Sequence, residues 1–507
     1  MKDKSRTEYS MLNTSVSSAV RIITIVLGYI TRMVFTRMLD QQYVGISGLF
    51  LEFFKLLSFS ELGISIAITY ALYKPIAEGD EEKQKSVMDL YRRFYNRVAL
   101  TVLLIGLLMF PFLDVLIKGQ PNVENLQLIY LLYLANSVMS YLFVYKKTLI
   151  DAHQQMYVSM CYYGLFMTLQ YVLQIAILLF TRNFILYLVV YLLCTVLHNI
   201  VISRKAEKMF PYIKETDVHP LSKENRQEIT KNIKAMFMHK IGTVTVQNTD
   251  SLLISSMIGI ISTACFANYR LIIGSVQQVL NQVFQGVSAS IGNLGTVEDS
   301  GKLSAVFESF FFIDFWIYGF ASICLFELLT PFIAISFGTQ YVFPIDVTFI
   351  LCLNFYLTGI RQATLSFRDS LGLFWHDRYK SIAEAVLNLN ASVLLAYLFG
   401  ISGIFWGTLV STVLVPLWIE PYILYKHRMN QPVLGYFAKL GIYTLVVFFC
   451  GIITHMICSH IAGSYVMQLL LKMPVCLVVP NLIIWLLFHR TAEYQYVSER
   501  IRHFLRR

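Results

Sequence analysis

The chain has 507 residues, of which 56% are hydrophobic and only 14% charged, with a formal net charge of +10. A typical soluble domain is roughly 45–50% apolar and about 25% charged. This composition, with a mean hydropathy of +0.59, excludes a soluble globular protein and leaves an all-α, polytopic membrane protein. The longest polar stretch, 204–234, is too short to fold alone as a catalytic domain, so no enzyme activity is expected.

Lys2, Lys4 and Arg6 precede a first apolar run that is long and carries Arg21 and Arg32. It is therefore expected to stay as a membrane span and not to be cleaved as a signal peptide. Fourteen segments reach the roughly 20 apolar residues that a spanning helix needs. In chain order they are 10–34, 44–72, 95–117, 126–148, 158–180, 184–203, 238–259, 263–293, 304–335, 345–367, 381–399, 401–424, 434–458 and 465–488. The links at 181–183 and 400–402 are short enough to force antiparallel hairpins. A connector at 204–237 divides the spans into an N-terminal lobe of six (1–203) and a group of eight. The eight read as a second six-span lobe (238–424), two added spans (425–488) and a basic amphipathic tail (489–507). Each lobe opens on a polar span followed by a longer one with a basic residue inside, Lys55 or Arg270, a sign of an internal repeat.

Orientation follows from Lys and Arg. With the N-terminus cytoplasmic, 30 of the 41 Lys and Arg residues fall in inside segments, and only Arg37, Lys118 and Arg182 fall outside. Both termini are thus expected in the cytoplasm. The net charge is mostly this loop signature, and no nucleic-acid partner is implied. Asp80 is expected to cap an inside helix with Val87, Leu90, Tyr91 and Phe94 on one face, and Ser222 a second one with Ile229, Ile233 and Phe237. In the tail, Val497, Ile501, Phe504 and Leu505 alternate with arginines, the pattern of a short helix lying on anionic membrane lipids.

Ionisable residues inside spans are costly and mark candidate sites. Arg21 and Arg32 are 11 residues apart, within about 20° of one helical face; Arg32 also fits a side chain reaching the outer headgroups. Lys55 lies mid-span with Glu52 one turn before it, either facing a wet interior or forming an internal ion pair. The seventh span carries Thr243, Gln247, Asp250 and Ser251. The eighth carries Arg270, Gln277, Asn281 and Ser288 on one face, a stripe for a ligand or for interhelical hydrogen bonds. Asn354, Thr358 and Arg361 follow in the tenth, with Arg361 near its cytoplasmic end, and Glu384, Asn388 and Ser392 in the eleventh. Glu420 beside Pro421 reads as structural. Five basic groups (Arg21, Arg32, Lys55, Arg270, Arg361) against the deep acids Asp250, Asp314 and Glu384 predict a net-positive interior suited to an anion.

The eight cysteines all fall in apolar stretches and form no C-x-x-C pair, so disulfide, metal and haem roles find no support. There is no G-x-x-x-x-G-K-[ST] loop and no H-E-x-x-H; neither an ATPase motor nor a cofactor is expected.

The stretch T-R-M-L-D-Q-Q-Y-V-G-I-S-G-L-F (Thr36–Phe50) resembles the turn joining the first two spans of polysaccharide-type flippases of the multidrug/oligosaccharidyl-lipid/polysaccharide (MOP) exporter superfamily. Here Val44 separates Tyr43 from Gly45. Q-N-T-D-S-L-L-I-S-S-M-I-G (Gln247–Gly259) is similar to the family's second-half signature. The resemblance implies two six-helix lobes around a central cavity, two further helices, and alternating access. It implies a polyprenyl-pyrophosphate-linked oligosaccharide as cargo, moved across the bacterial cytoplasmic membrane for surface polysaccharide synthesis. Coupling to Na+ or H+ and contact with polysaccharide-assembly proteins belong to the same expectation. It assigns the pyrophosphate to Arg21, Arg32, Lys55, Arg270 and Arg361, with Asp250, Gln277 and Asn281 lining the cavity. A lipid II flippase or a drug antiporter of the same superfamily stands as the alternative. A membrane polymerase or ligase is disfavoured by the short outside loops.

Overall fold

The computed structural model describes residues 6–57, 64–119, 121–215, 218, 220–224, 227, 229–230, 248–285, 300–371, 373, 376, 379–429 and 431–505. Ten of its helices are long and apolar enough to cross a membrane, and no strand occurs among the described residues. The chain is all-α and polytopic. It divides into two compact units, Met1–Ala264 and Cys265–Arg507.

The first unit contains α1 (Arg6–Met38), α2 (Gln41–Leu57), α3 (Ile64–Glu78), α4 (Glu81–Met109), α5 (Leu126–Tyr141), α6 (Met156–Thr181) and α7 (Phe184–Met209). Asp80 caps α4, its carboxylate accepting from the Lys83 N–H at 2.9 Å. The helix predicted to start there runs unbroken into the third span. Val87 and Tyr91 are buried as the spacing requires, while Leu90 and Phe94 are only half-buried. Arg182, in the left-handed region, and Asn183, which caps α7 by accepting from Leu186 N–H, make the predicted tight hairpin. α1 packs along α6, tied at one end by Asn13, which donates to the Gln154 carbonyl and accepts from the Tyr157 N–H.

The unit boundary falls one span beyond the predicted connector. Residues 248–258 belong to the first unit because they dock on the corner after α4. There the Ser255 hydroxyl donates to the Leu116 carbonyl, the Lys118 N–H to the Ser255 carbonyl, and Lys118 Nζ to the Met257 carbonyl. Ile233 and Phe237 of the second predicted connector helix lie outside the described residues.

The second unit takes in most of α8 (Ile260–Gln285), then α9 (Ser300–Ser336), α10 (Ile345–Gly359), α11 (Gln362–Ser370), α12 (Lys380–Phe399), α13 (Ile401–Leu414), α14 (Pro416–Leu424), α15 (Leu434–Ser459), α16 (Tyr465–Phe488) and α17 (Ala492–Leu505). The predicted tenth and twelfth spans are each two helices. The tenth breaks at Ile360–Arg361 and the twelfth at Pro416, whose ring cannot continue an α-helical hydrogen-bond ladder. The tail helix α17 docks on its own unit: Glu493 accepts from Lys439 at 2.8 Å, and Tyr494 stacks on Trp316 at 5.8 Å.

α12 and α13 pack closely against each other. Gly403 and Gly407, one turn apart on α13, meet the α12 backbone so nearly that a Cβ would stand 2.0 Å from the Leu395 carbonyl oxygen or 2.3 Å from Ser392 N. This is the small-residue seam by which helices associate in lipid, where no hydrophobic force draws them together. The predicted stripe of the eleventh span serves this seam: Ser392 donates to the Ile404 carbonyl and Asn388 to the Thr408 hydroxyl. Gly407→Leu should therefore lower the unfolding temperature in detergent by an amount equivalent to about 2–4 kcal/mol. Gly435→Ala, where a Cβ meets nothing within 4 Å, should stay within about 0.5 kcal/mol. Equal behaviour of the two variants would refute the seam.

Candidate functional site

In the first unit, α1 presents Arg21 and Arg32 along one side, roughly 16 Å apart by helical rise. Arg21 is exposed, and no carboxylate pairs with it among the described residues; Tyr163 of α6 lies within its electrostatic reach. Arg32 is half-buried, with its guanidinium 5.6 Å from the Phe35 ring centroid and Tyr133 and Tyr187 nearby. Those tyrosines belong to a layer drawn from α5, α6 and α7. Tyr133 donates to the Ser47 hydroxyl of α2 at 2.8 Å, Tyr191 lies beside Asn136, and Tyr171 and Tyr163 continue the layer toward Arg21.

Sequence reading missed this layer because it counts tyrosine as apolar. The available signal was position. In a membrane protein tyrosine gathers at the two interfaces, yet Tyr133, Tyr171 and Tyr191 stand well inside spans. Rings carrying hydroxyls beside guanidinium groups offer flat faces and donors to sugars, and bidentate donors to phosphates.

Lys55 donates to Glu52 at 3.0 Å; Lys55 is exposed while Glu52 is almost buried. Asp250 is half-buried at the start of the described part of the seventh span. Thr243, Gln247, Glu61 and Ser288 lie outside the described residues. In the second unit Arg270 and Gln277 are half-buried along α8. Asn281, one turn beyond Gln277 on the same stripe, accepts from the Tyr318 hydroxyl of α9 at 2.8 Å.

Arg361 sits in a different setting. It is buried, and its planar fork meets a carboxylate of its own chain: Nε donates to Glu420 Oε2 at 2.9 Å and a terminal nitrogen to Oε1 at 2.7 Å. Lys380 donates to the same Oε1, and Arg368 stands 4.0 Å from it while also pairing with Asp369. Glu420 is wholly buried, so its charge persists only because these cations compensate it. The break before α11 is closed by a second acid. Asp314 of α9, also wholly buried, accepts the Ala363 N–H in the first turn of α11, which would otherwise have no helical partner. Gly359 at this break leaves room for Tyr318, whose ring would lie 1.9 Å from a Cβ there.

Removing the shared anion should cost more than removing one of its partners. Glu420→Gln is expected to lose about 3–5 kcal/mol, the usual penalty for leaving buried charge uncompensated. The double variant Glu420→Gln/Arg361→Gln should recover part of that loss, measured by thermal unfolding in detergent.

No family model matches the chain, and no curated protein matches it. Solved structures do. The lipid II flippase MurJ in an inward closed conformation aligns over 93% of this chain and 98% of its own length, at 12% identity and a TM-score of 0.68. An inward-facing multidrug resistance MATE family transporter of the MOP superfamily covers 80% of this chain and 97% of its own, at 17% identity and a TM-score of 0.62. An outward-facing structure of such a transporter covers 83% of this chain and 98% of its own, at 16% identity and a TM-score of 0.54. At these identities the likeness establishes the fold: the chain has the architecture of MATE and MurJ transporters.

Proposed function

We propose that this chain is a non-enzymatic, MOP-type transporter. Its cargo is a polyprenyl-pyrophosphate-linked oligosaccharide, flipped across the bacterial cytoplasmic membrane for surface polysaccharide assembly, with both termini in the cytoplasm. One observation carries the reading: Arg21, a span arginine with no carboxylate partner among the described residues, lines a tyrosine layer that also holds Arg32. Holding an unpaired cation within a membrane span is costly, and an anionic headgroup offsets that cost. Arg21 and Arg32, too far apart to hold one pyrophosphate together, are two successive stations for it, each binding by charge-assisted hydrogen bonds, and the tyrosines face the sugars. Lys55, already balanced by Glu52, adds a weaker attraction. In the second unit, Arg270 is a further span cation for an anionic headgroup, with Gln277 and Asn281 on the same helix as partners for hydroxyls; Asp250 of the first unit offers the same to a sugar. Arg361 is left out of the phosphate set, because Glu420 occupies its fork.

Alternating access and coupling to a Na+ or H+ gradient come to this reading from the family resemblance. A lipid II flippase is the second reading. It needs the same anionic headgroup, and the solved lipid II flippase shares its fold with nearly all of this chain. A drug antiporter fits less well, since cationic substrates call for an acid-lined site and Arg21 and Arg32 face tyrosines.

The test is leaflet transfer in proteoliposomes of three labelled probes: a polyprenyl-pyrophosphate oligosaccharide, lipid II and a cationic drug. The oligosaccharide lipid should be transferred. Arg21→Ala and Arg270→Ala should each reduce transfer at least about tenfold, the worth of one charged hydrogen bond, with unchanged unfolding temperature. Full transfer by both variants would overturn the site. Transfer of the drug alone would overturn the cargo.

A further inference from the structure

Three segments that the count of Lys and Arg places on one side of the membrane meet in the first unit. The start of α4, the turn at Val144–Lys146 and the turn at Pro211–Lys214 after α7 enclose a polar cleft of about 380 Å³. Among the described residues five cations line it against three carboxylates. The pairing is uneven. Lys85 pairs with both Glu215 and Glu82, and Lys146 pairs with Glu207. A single carboxylate serves two guanidinium groups: Asp89 accepts from Arg92 at 2.6 Å and from Arg93 at 2.8 Å. Lys214, exposed in the same cleft, has no ion-pair partner among the described residues. The positive excess therefore falls on Arg92, Arg93 and Lys214.

A second cleft of about 250 Å³ shares Asp89 and Arg93 and adds Arg97, one turn further along α4. Arg97 is likewise exposed and without an ion-pair partner among the described residues. Its helical face then turns apolar. Phe94, Arg97, Thr101, Leu104 and Leu108 recur at spacings of three and four, and Leu104 and Leu108 are 58% and 63% exposed. A cationic pocket thus opens onto a bare apolar stripe running into the span.

We propose that this composite is a binding site for an anionic phospholipid of the cytoplasmic leaflet. The phosphate sits among Arg92, Arg93, Arg97 and Lys214, and one acyl chain lies along Leu104 and Leu108. Arginine forks suit phosphate oxygens, and cations at this depth meet the negative potential of that leaflet. The apolar stripe favours a lipid over a soluble phosphate, which would leave it uncovered. The site is distinct from Arg21 and Arg32 on α1, and it stands whether or not the proposed cargo is right.

The test is binding to the purified, detergent-solubilised protein of three probes: dihexanoyl phosphatidylglycerol, dihexanoyl phosphatidylcholine and glycerol phosphate. The phosphatidylglycerol should bind saturably and more tightly than the other two. Arg97→Gln/Lys214→Gln removes two exposed, unpartnered cations and should leave the unfolding temperature unchanged. It should weaken phosphatidylglycerol binding at least about tenfold, each Lys or Arg at an anionic surface being worth roughly a fivefold factor. Arg93→Gln should weaken it further. Equal binding by wild type and both variants would overturn the site. Phosphatidylcholine binding as tightly as phosphatidylglycerol would overturn the role of charge. Glycerol phosphate binding as tightly would overturn the lipid as the source of the phosphate.

Discussion

Inside a bilayer neither a peptide group nor a charge finds water, so each must be satisfied by the chain itself or face a wet space. This constraint sorts the fourteen predicted segments. Ten appear as helices apolar enough to cross a membrane. The other four are the second, seventh, eighth and tenth. The second runs partly outside the described residues, and the tenth is divided between α10 and α11. The seventh also runs partly outside the described residues, and the eighth, α8, is continuous but carries Arg270, Gln277 and Asn281. With α1, these are the segments that hold every basic candidate.

The two units treat their span arginines in different ways. In the second, Arg361 is drawn into a closed knot with Glu420, Lys380 and Arg368, and Asp314 caps the helix that begins beside it. A knot of this kind holds helix ends together but has little attraction left for a ligand. In the first, Arg21 has no carboxylate partner among the described residues, and Arg32 stands over the Phe35 ring with Tyr133 and Tyr187 nearby. A cation that no carboxylate pairs with, as at Arg21, is one still able to attract an anion from outside.

Hydropathy made the spans, the tight hairpins at Arg182 and Gly400 and the Asp80 cap legible, because each depends on residues close in sequence. The Glu52–Lys55 pair could be read for the same reason. The Arg361–Glu420 pair could not. Its members are 59 residues apart, and no periodicity links them, so each could be judged only by its own depth. The tyrosine layer was hidden for another reason: a ring with a hydroxyl counts as apolar in a hydropathy sum, and its contacts span three helices. The Asn388–Ser392 stripe was visible as polar, but only the glycines facing it on α13 reveal that it is glue between helices.

Glu420 also bears on how the second unit assembles during synthesis. Translation proceeds from the N-terminus, and domains tend to fold in that order. Arg361, Arg368, Lys380 and Glu384 therefore all leave the ribosome before the anion that holds three of them. Until α14 arrives, Arg361, Arg368 and Lys380 at the ends of α10, α11 and α12 outnumber the carboxylates Asp369 and Glu384 and stay in contact with water. Their final burial waits for a single late residue, so α14 acts as the closing step of this unit. A chain truncated before Glu420 would leave an unfinished, cation-rich helix cluster, the kind of partly assembled surface on which membrane quality control acts.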